Sequence, residues 1–235
     1  LWKNILRRII SQNRKIKQID KSEVVGVKKL IKIKEVRRQD YKKAQKFAIQ
    51  GMHLDWYMDS KVILALYAKY FWYTELNRAT KAYGAYVDDN FVGVLLAEIK
   101  NEPKCYHSLF KAIYMKIFDW FQHLVAGKGV EEYDEANKDM YNSFCQKNNP
   151  DGEINFLAAD PDCKIKGIGT ALLSAFEKDE RGKIVYLYTD SACTYQFYEH
   201  RGFERSGERQ VVLDLDKKQV PLTCLFYSKK IIEQR

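Results

Sequence analysis

Glu153-Ile154-Asn155-Phe156-Leu157-Ala158-Ala159, followed by Asp160-Pro161-Asp162-Cys163-Lys164-Ile165-Lys166-Gly167-Ile168-Gly169-Thr170, is the stretch on which the fold turns. An apolar run of strand length meets a bend with two glycines, and a helical pattern begins at Ile168. Glycine at such a bend lets backbone approach a ligand closely, and the first turn of a helix has N–H groups without intrahelical partners. Those amides and the positive helix end suit a phosphate, and Lys164 and Lys166 add charge. A P-loop needs Gly-Lys-Ser/Thr, whereas here the lysine precedes Gly167. A dinucleotide fingerprint needs a third glycine where Leu172 stands.

Downstream, Ile184–Tyr188 reads as a strand and Ser191–His200 as a short helix running into Gly202-Phe203. Taken together, Lys164-x-x-Gly167-x-Gly169 after Pro161, and Phe197-Tyr198-Glu199-His200-Arg201-Gly202-Phe203 one strand later, resemble two motifs of the GNAT N-acetyltransferase superfamily. Lys164 stands where that pattern carries Arg or Gln. Ser191 stands seven residues before Tyr198, where the family often has Asn. The resemblance covers residues 152–230 and extends more loosely over 27–100.

The resemblance implies an α/β fold of the acyl-CoA N-acyltransferase type: a mixed, mostly antiparallel sheet with a splayed parallel strand pair, flanked by helices. It implies acetyl-CoA (coenzyme A) as co-substrate and no metal. Backbone of Leu157 and Ala159 is expected to hold the pantetheine arm like an added strand. Amides from Ile165, Lys166, Gly167, Ile168, Gly169 and Thr170 are expected to hold the diphosphate, with Lys164 and Ser191 as further contacts. Tyr198 fits the acid that protonates the departing thiolate. Glu153, fourteen residues before Gly167, stands where histone-type members carry a base. An ordinary glutamate, with a pKa of about 4.3, needs burial or a relayed water to serve so. Direct attack by a small-molecule or peptide amine in a ternary complex is the implied reaction. The alternative is a catalytically inactive module that keeps acyl-CoA affinity. Cys163 and Cys193 lack the histidine context of a nucleophile.

Outward from this centre, the rest of the chain reads as one domain, 27–235, behind a basic extension, 1–26. Val27–Val36 reads as a first strand, Asp40 as the cap of a helix carrying Ala44, Phe47 and Ala48, and 60–78 as a second helix. Tyr83–Val87 and Phe91–Ile99 flank Asp88-Asp89-Asn90, a hairpin signal. Cys105–Val125 and Glu131–Gln146 are expected as helices of an insert at about 101–150, and Gln210–Leu215 with Leu222–Ser228 as a closing strand pair. Acids of the insert (Glu131, Glu132, Asp134, Glu135, Asp139) either face the cleft, favouring a cationic acceptor, or form a solvated helix face.

Composition sets the outer limits. With 235 residues, 46% hydrophobic, the chain can bury a sizeable core. Its apolar runs fall short of the roughly 20 residues that span a bilayer, and no signal-peptide core is present. Lys3, Arg7, Arg8, Arg14, Lys15 and Lys17 supply much of the net +9, and the apolar Leu1, Trp2, Ile5, Leu6, Ile9 and Ile10 among them fall at helical spacing, which suits either an amphipathic basic helix or a short packing helix. Nucleic acid is not expected as a partner, and a homodimer stays open. Five scattered cysteines without a CxxC pair point to reduced thiols in a cytoplasm, with neither zinc nor a disulfide framework.

Overall fold

The computed structural model describes residues 30–56, 60–106, 129–215 and 218–232. The basic extension, the start of the strand expected at Val27–Val36 and most of the helix expected at Cys105–Val125 lie outside the described residues. The described residues from Ile31 onward form one compact unit.

A seven-stranded sheet runs in the order β1-β2-β3-β4-β5-β7-β6. Its strands are β1 (Lys32–Lys34), β2 (Lys81–Val87), β3 (Asn90–Ile99), β4 (Gly152–Ala159), β5 (Ile184–Asp190), β6 (Glu204–Leu215) and β7 (Lys218–Lys230). All neighbours pair antiparallel except β4 and β5. The helices are α1 (Tyr41–Gly51), α2 (Lys61–Arg78), α3 (Gly129–Cys145), α4 (Ile168–Asp179) and α5 (Gln196–Glu199).

Apolar alternation decides which helix covers which face. Ile154, Val185 and Leu187 pack with Ile168, Leu172 and Phe176 of α4 on one side. Phe156 and Ala158 pack with Phe47 of α1 and Trp72 of α2 on the other. α3 lies on that second side too, over β5 to β7, where Met140 joins Tyr186, Cys224 and Phe226. Its register places α3 inside the stretch read as an insert.

Three local readings differ from the structure. Asp40 does not cap α1 with its side chain; its carboxylate instead accepts from Tyr86 Oη at 2.8 Å and Arg37 Nε at 2.9 Å. Ser191–Tyr195 is a turn rather than helix, because Asp190 Oδ1 accepts from the N–H of Ala192 and Cys193 at 2.9 and 3.2 Å. β6 and β7 are longer than the apolar runs suggested: Glu204–Arg209 pairs with β7 at the sheet edge, where charged side chains reach solvent. Removing the Tyr86 hydroxyl leaves the buried Asp40 short of a donor. Tyr86→Phe is therefore expected to lower unfolding free energy by about 1–3 kcal/mol, read from urea melts.

Candidate active site

β4 and β5 are register-paired only at Gly152↔Val185 and Glu153↔Tyr186. Beyond that point the two strands part, although β4 continues to Ala159 and β5 to Asp190. A bulge contributes on the β3 side, where Leu96 opposes Phe156 but Ala97 opposes Ile154, so Asn155 is the extra residue. Asn155 and Phe156 consequently both face α2. The amide of Asp160 donates to Val92 of β3 at 2.8 Å. By strand parity, the N–H and C=O groups of Leu157 and Ala159 then point the opposite way, into the gap beside β5.

The gap leads at the C-terminal end of β4 to the glycine bend. Gly167 is the N-cap of α4 with φ 88°, ψ 8°, a left-handed conformation that glycine adopts without penalty. A Cβ built at Gly167 meets nothing within 4 Å, whereas one at Gly169 comes 3.3 Å from the Phe197 ring. The first turn of α4 carries no acid. Lys164 and Lys166 are exposed; Ile165 is half-buried against the α4 core. Thr170 Oγ1 accepts from Arg201 Nη2 at 2.6 Å, so a third cation stands over this turn. Sequence reasoning missed Arg201, although it sits one place before Gly202 in the second motif. This bend has the open space, the amides and the positive charge that a diphosphate requires, and it fits coenzyme A.

Tyr198 lies on α5, with its ring 5.7 Å from Phe203 and 6.2 Å from Tyr227. Burial raises its phenol above the ordinary value, with the nearby Cys193 thiol adding to the rise. Cys193 Sγ lies 3.8 Å from Gly51 O, and a Cβ at Gly51 comes 4.0 Å from Ala158, so α1 and the β5–α5 turn meet around the end of β4. Ser191 Oγ accepts from Thr223 N–H at 3.1 Å, which ties the turn after β5 to β7.

Where the strands part, side chains from four elements form a charged cluster. Arg78 of α2 gives Nη2 to Glu153 at 2.6 Å and Nε to Glu98 of β3 at 3.0 Å, and its Nη1 is 3.5 Å from Glu75. Lys104 also pairs with Glu98. Tyr186 Oη donates to Glu153 at 3.3 Å. Asn155 Nδ2 donates to Glu75 Oε2 at 2.7 Å and to the Glu75 carbonyl at 3.2 Å. Burial pulls the Arg78 guanidinium down, but Glu153 and Glu75 raise it overall, so it stays charged. Burial pushes the Glu75 carboxyl up to about 7, against the smaller opposing effects of Arg78 and Asn155.

That shift has a thermodynamic consequence with a definite sign. Folded Glu75 keeps its proton to about pH 7, against 4.5 for the unperturbed group, so the folded state binds the extra proton in that window. This group's contribution to stability is full below about pH 4.5 and lost as pH rises through 7. Glu75→Gln does not titrate there. Its Tm relative to wild type is expected to move upward between pH 5 and pH 8, read by thermal melts.

A sheet that opens between its parallel strands, with a glycine bend leading from one of them onto a helix, defines the N-acetyltransferase class of fold. The acetyltransferase (GNAT) family model matches residues 46–203, and the chain belongs to that family. No curated protein sequence matches it. Solved structures with a similar fold include an agmatine N-acetyltransferase mutant in its apo form, 12% identical with a TM-score of 0.53, the match covering 85% of this chain and 98% of that one. A protein from Pyrococcus horikoshii is 15% identical with a TM-score of 0.51, covering 86% and 98%. A polyamine N-acetyltransferase of Drosophila melanogaster is 11% identical with a TM-score of 0.50, covering 86% and 100%. Among the described residues, no His, Cys, Asp and Glu group is arranged to hold a metal ion, and no helix is long and apolar enough to cross a membrane.

Proposed function

We propose that this protein moves an acetyl group from acetyl-CoA to a primary amine, by direct attack within a ternary complex. The parting of β4 from β5 beyond Glu153 and Tyr186 carries this reading, because it leaves a backbone-lined gap that ends on the glycine bend. Acetyl-CoA supplies the acyl group as an activated thioester. Leu157 and Ala159 present their gap-facing amides and carbonyls to the pantetheine arm. The amides from Ile165 to Thr170, with Lys164, Lys166 and Arg201 around them, bind the diphosphate. Tyr198 keeps its proton at neutral pH and delivers it to the sulfur as the thiolate departs. Ser191, whose Oγ accepts from Thr223 N–H, keeps its hydroxyl hydrogen to offer the cofactor from the turn after β5.

On the acceptor side stand α2 and α3, flanking the parted strands. Glu153, locked to Arg78 and Tyr186, is a fixed negative charge that attracts and orients an ammonium.

Calorimetry with coenzyme A, combined with thiol release from acetyl-CoA across a panel of primary amines, tests the proposal. Coenzyme A uptake with amine-dependent thiol release supports it. Uptake without release from any amine assigns the chain to acyl-CoA binding alone, and no uptake removes both readings.

A further inference from the structure

Among the described residues, the charged cluster at the fork does not balance. Glu75, Glu98 and Glu153 face Arg78 and Lys104. Arg78 and Lys104 are answered by Glu153 and Glu98, with contacts of full salt-bridge quality at Glu153 and at both Glu98 oxygens. Glu75 is the carboxylate left over. Among the described residues, a 3.5 Å contact with Arg78 and one Asn155 amide serve its carboxylate, although Glu75 is 8% exposed. Buried charge without a full partner is costly, and two escapes exist: neutralisation by a proton, or a cation brought by a ligand. An acceptor ammonium offers both at once.

The position is as telling as the charge. Glu75 is bonded to Asn155, the bulge residue of β4, two places from Glu153 where β4 and β5 last pair. Tyr67, eight residues earlier on α2, has its phenol raised by burial first and then by Asp134 of α3 and by Glu75. Glu75 is therefore bonded to the fork and within electrostatic reach of Tyr67 on α2.

We propose that Glu75, rather than Glu153, is the catalytic carboxylate that takes the proton from the acceptor ammonium; this rests on the acyl-transfer reading above. The step is a simple exchange. An ammonium and the Glu75 carboxylate become a neutral amine and the Glu75 carboxylic acid, and the amine lone pair is then free to attack the thioester carbonyl. The proton on Glu75 is later released to water. Charge in the buried cluster changes little, because the incoming cation cancels the surplus negative charge that it meets. Groups facing Glu75 among the described residues are Arg78 and Tyr67 on α2, Asn155 and Glu153 on β4, and Glu98 on β3. Two carboxylates in one site divide the work: Glu153 is held in its ion pair with Arg78, and the desolvated Glu75 exchanges protons near neutrality.

The test compares wild type, Glu75→Gln and Glu153→Gln, using the primary amine of the panel that wild type acetylates fastest, from pH 5 to pH 10. For wild type, kcat/KM is expected to fall below about pH 7 and to level off above it. Glu75→Gln is expected to lose about 100-fold at pH 7.5, within the usual range for a general base. Its residual rate should climb with pH toward the pKa of the amine, without the break near 7, while coenzyme A affinity is unchanged. Glu153→Gln should keep the break. A break near 7 that survives in Glu75→Gln, or full activity in that variant, overturns the assignment and leaves acyl transfer standing. A wild type that binds coenzyme A yet acetylates no amine overturns the transfer reading, and this one with it. Carbon-13 NMR of glutamate-labelled wild type supplies a measurement independent of variant folding. One side-chain carboxyl titrating near pH 7 supports the proposal, and none doing so overturns it.

Discussion

Tyr198→Phe is expected to lower kcat by about 10²–10⁴-fold, the range that a positioned acid contributes, with coenzyme A affinity unchanged. The substitution removes one oxygen and leaves the ring contacts with Phe197, Phe203 and Tyr227 in place. Packing of α5 against the end of the sheet is thus preserved, and melting temperature should move little. The physical basis is the fate of the thiolate. A sulfur anion leaving into a desolvated gap is strongly basic, and a phenol whose own proton is held tightly by burial still transfers it once that anion develops. Steady-state turnover, together with calorimetry on the same samples, checks the prediction. Equal turnover in the variant removes the acid role, and a parallel loss of coenzyme A affinity shows Tyr198 to be a binding group instead.

The second large effect is expected at the bend. Gly167→Val places a β-branched residue at φ 88°, which costs about 1–3 kcal/mol of backbone strain. Its side chain also projects into the open space above the first turn of α4, where a Cβ meets no protein atom within 4 Å. A diphosphate bound to the amides of that turn occupies the same space. Losing two charge-assisted hydrogen bonds, at about 1.5–3 kcal/mol each, corresponds to roughly 10²–10⁴-fold weaker binding. Coenzyme A titrations of Gly167→Val, with a urea melt to measure the strain separately, decide the matter. Affinity preserved within about threefold places the cofactor elsewhere. Gly169→Ala is the milder companion, since its methyl approaches only the Phe197 ring, at 3.3 Å.

These two sites differ from the acceptor side in how far they were legible. Tyr198 and the glycine bend belong to short motifs, in which neighbouring residues determine the local backbone: Gly167 must be left-handed for the chain to turn onto α4. The hairpin at Asp88-Asp89 was equally legible, and both aspartates take positive φ, at 49° and 60°. Glu153 was singled out by its offset from Gly167, but its ion pair with Arg78, 75 positions away, was not visible. Glu75 and Asn155, 80 positions apart, left no trace as a pair.

By itself, the sequence determined the succession of strand, glycine bend, helix and strand from Gly152 to Asp190, and with it the class of fold. Those features follow from apolar periodicity and from which residues tolerate a bend, both of which act over a few neighbours. Only the tertiary structure decided where β4 and β5 part, that α2 and α3 flank the opening, and that burial raises the proton affinity of Glu75 while Glu153 is drawn into an ion pair with Arg78. Proton affinity depends on burial and on charges brought from remote parts of the chain, so identical glutamates acquire different chemistry only once the sheet and helices have assembled around them.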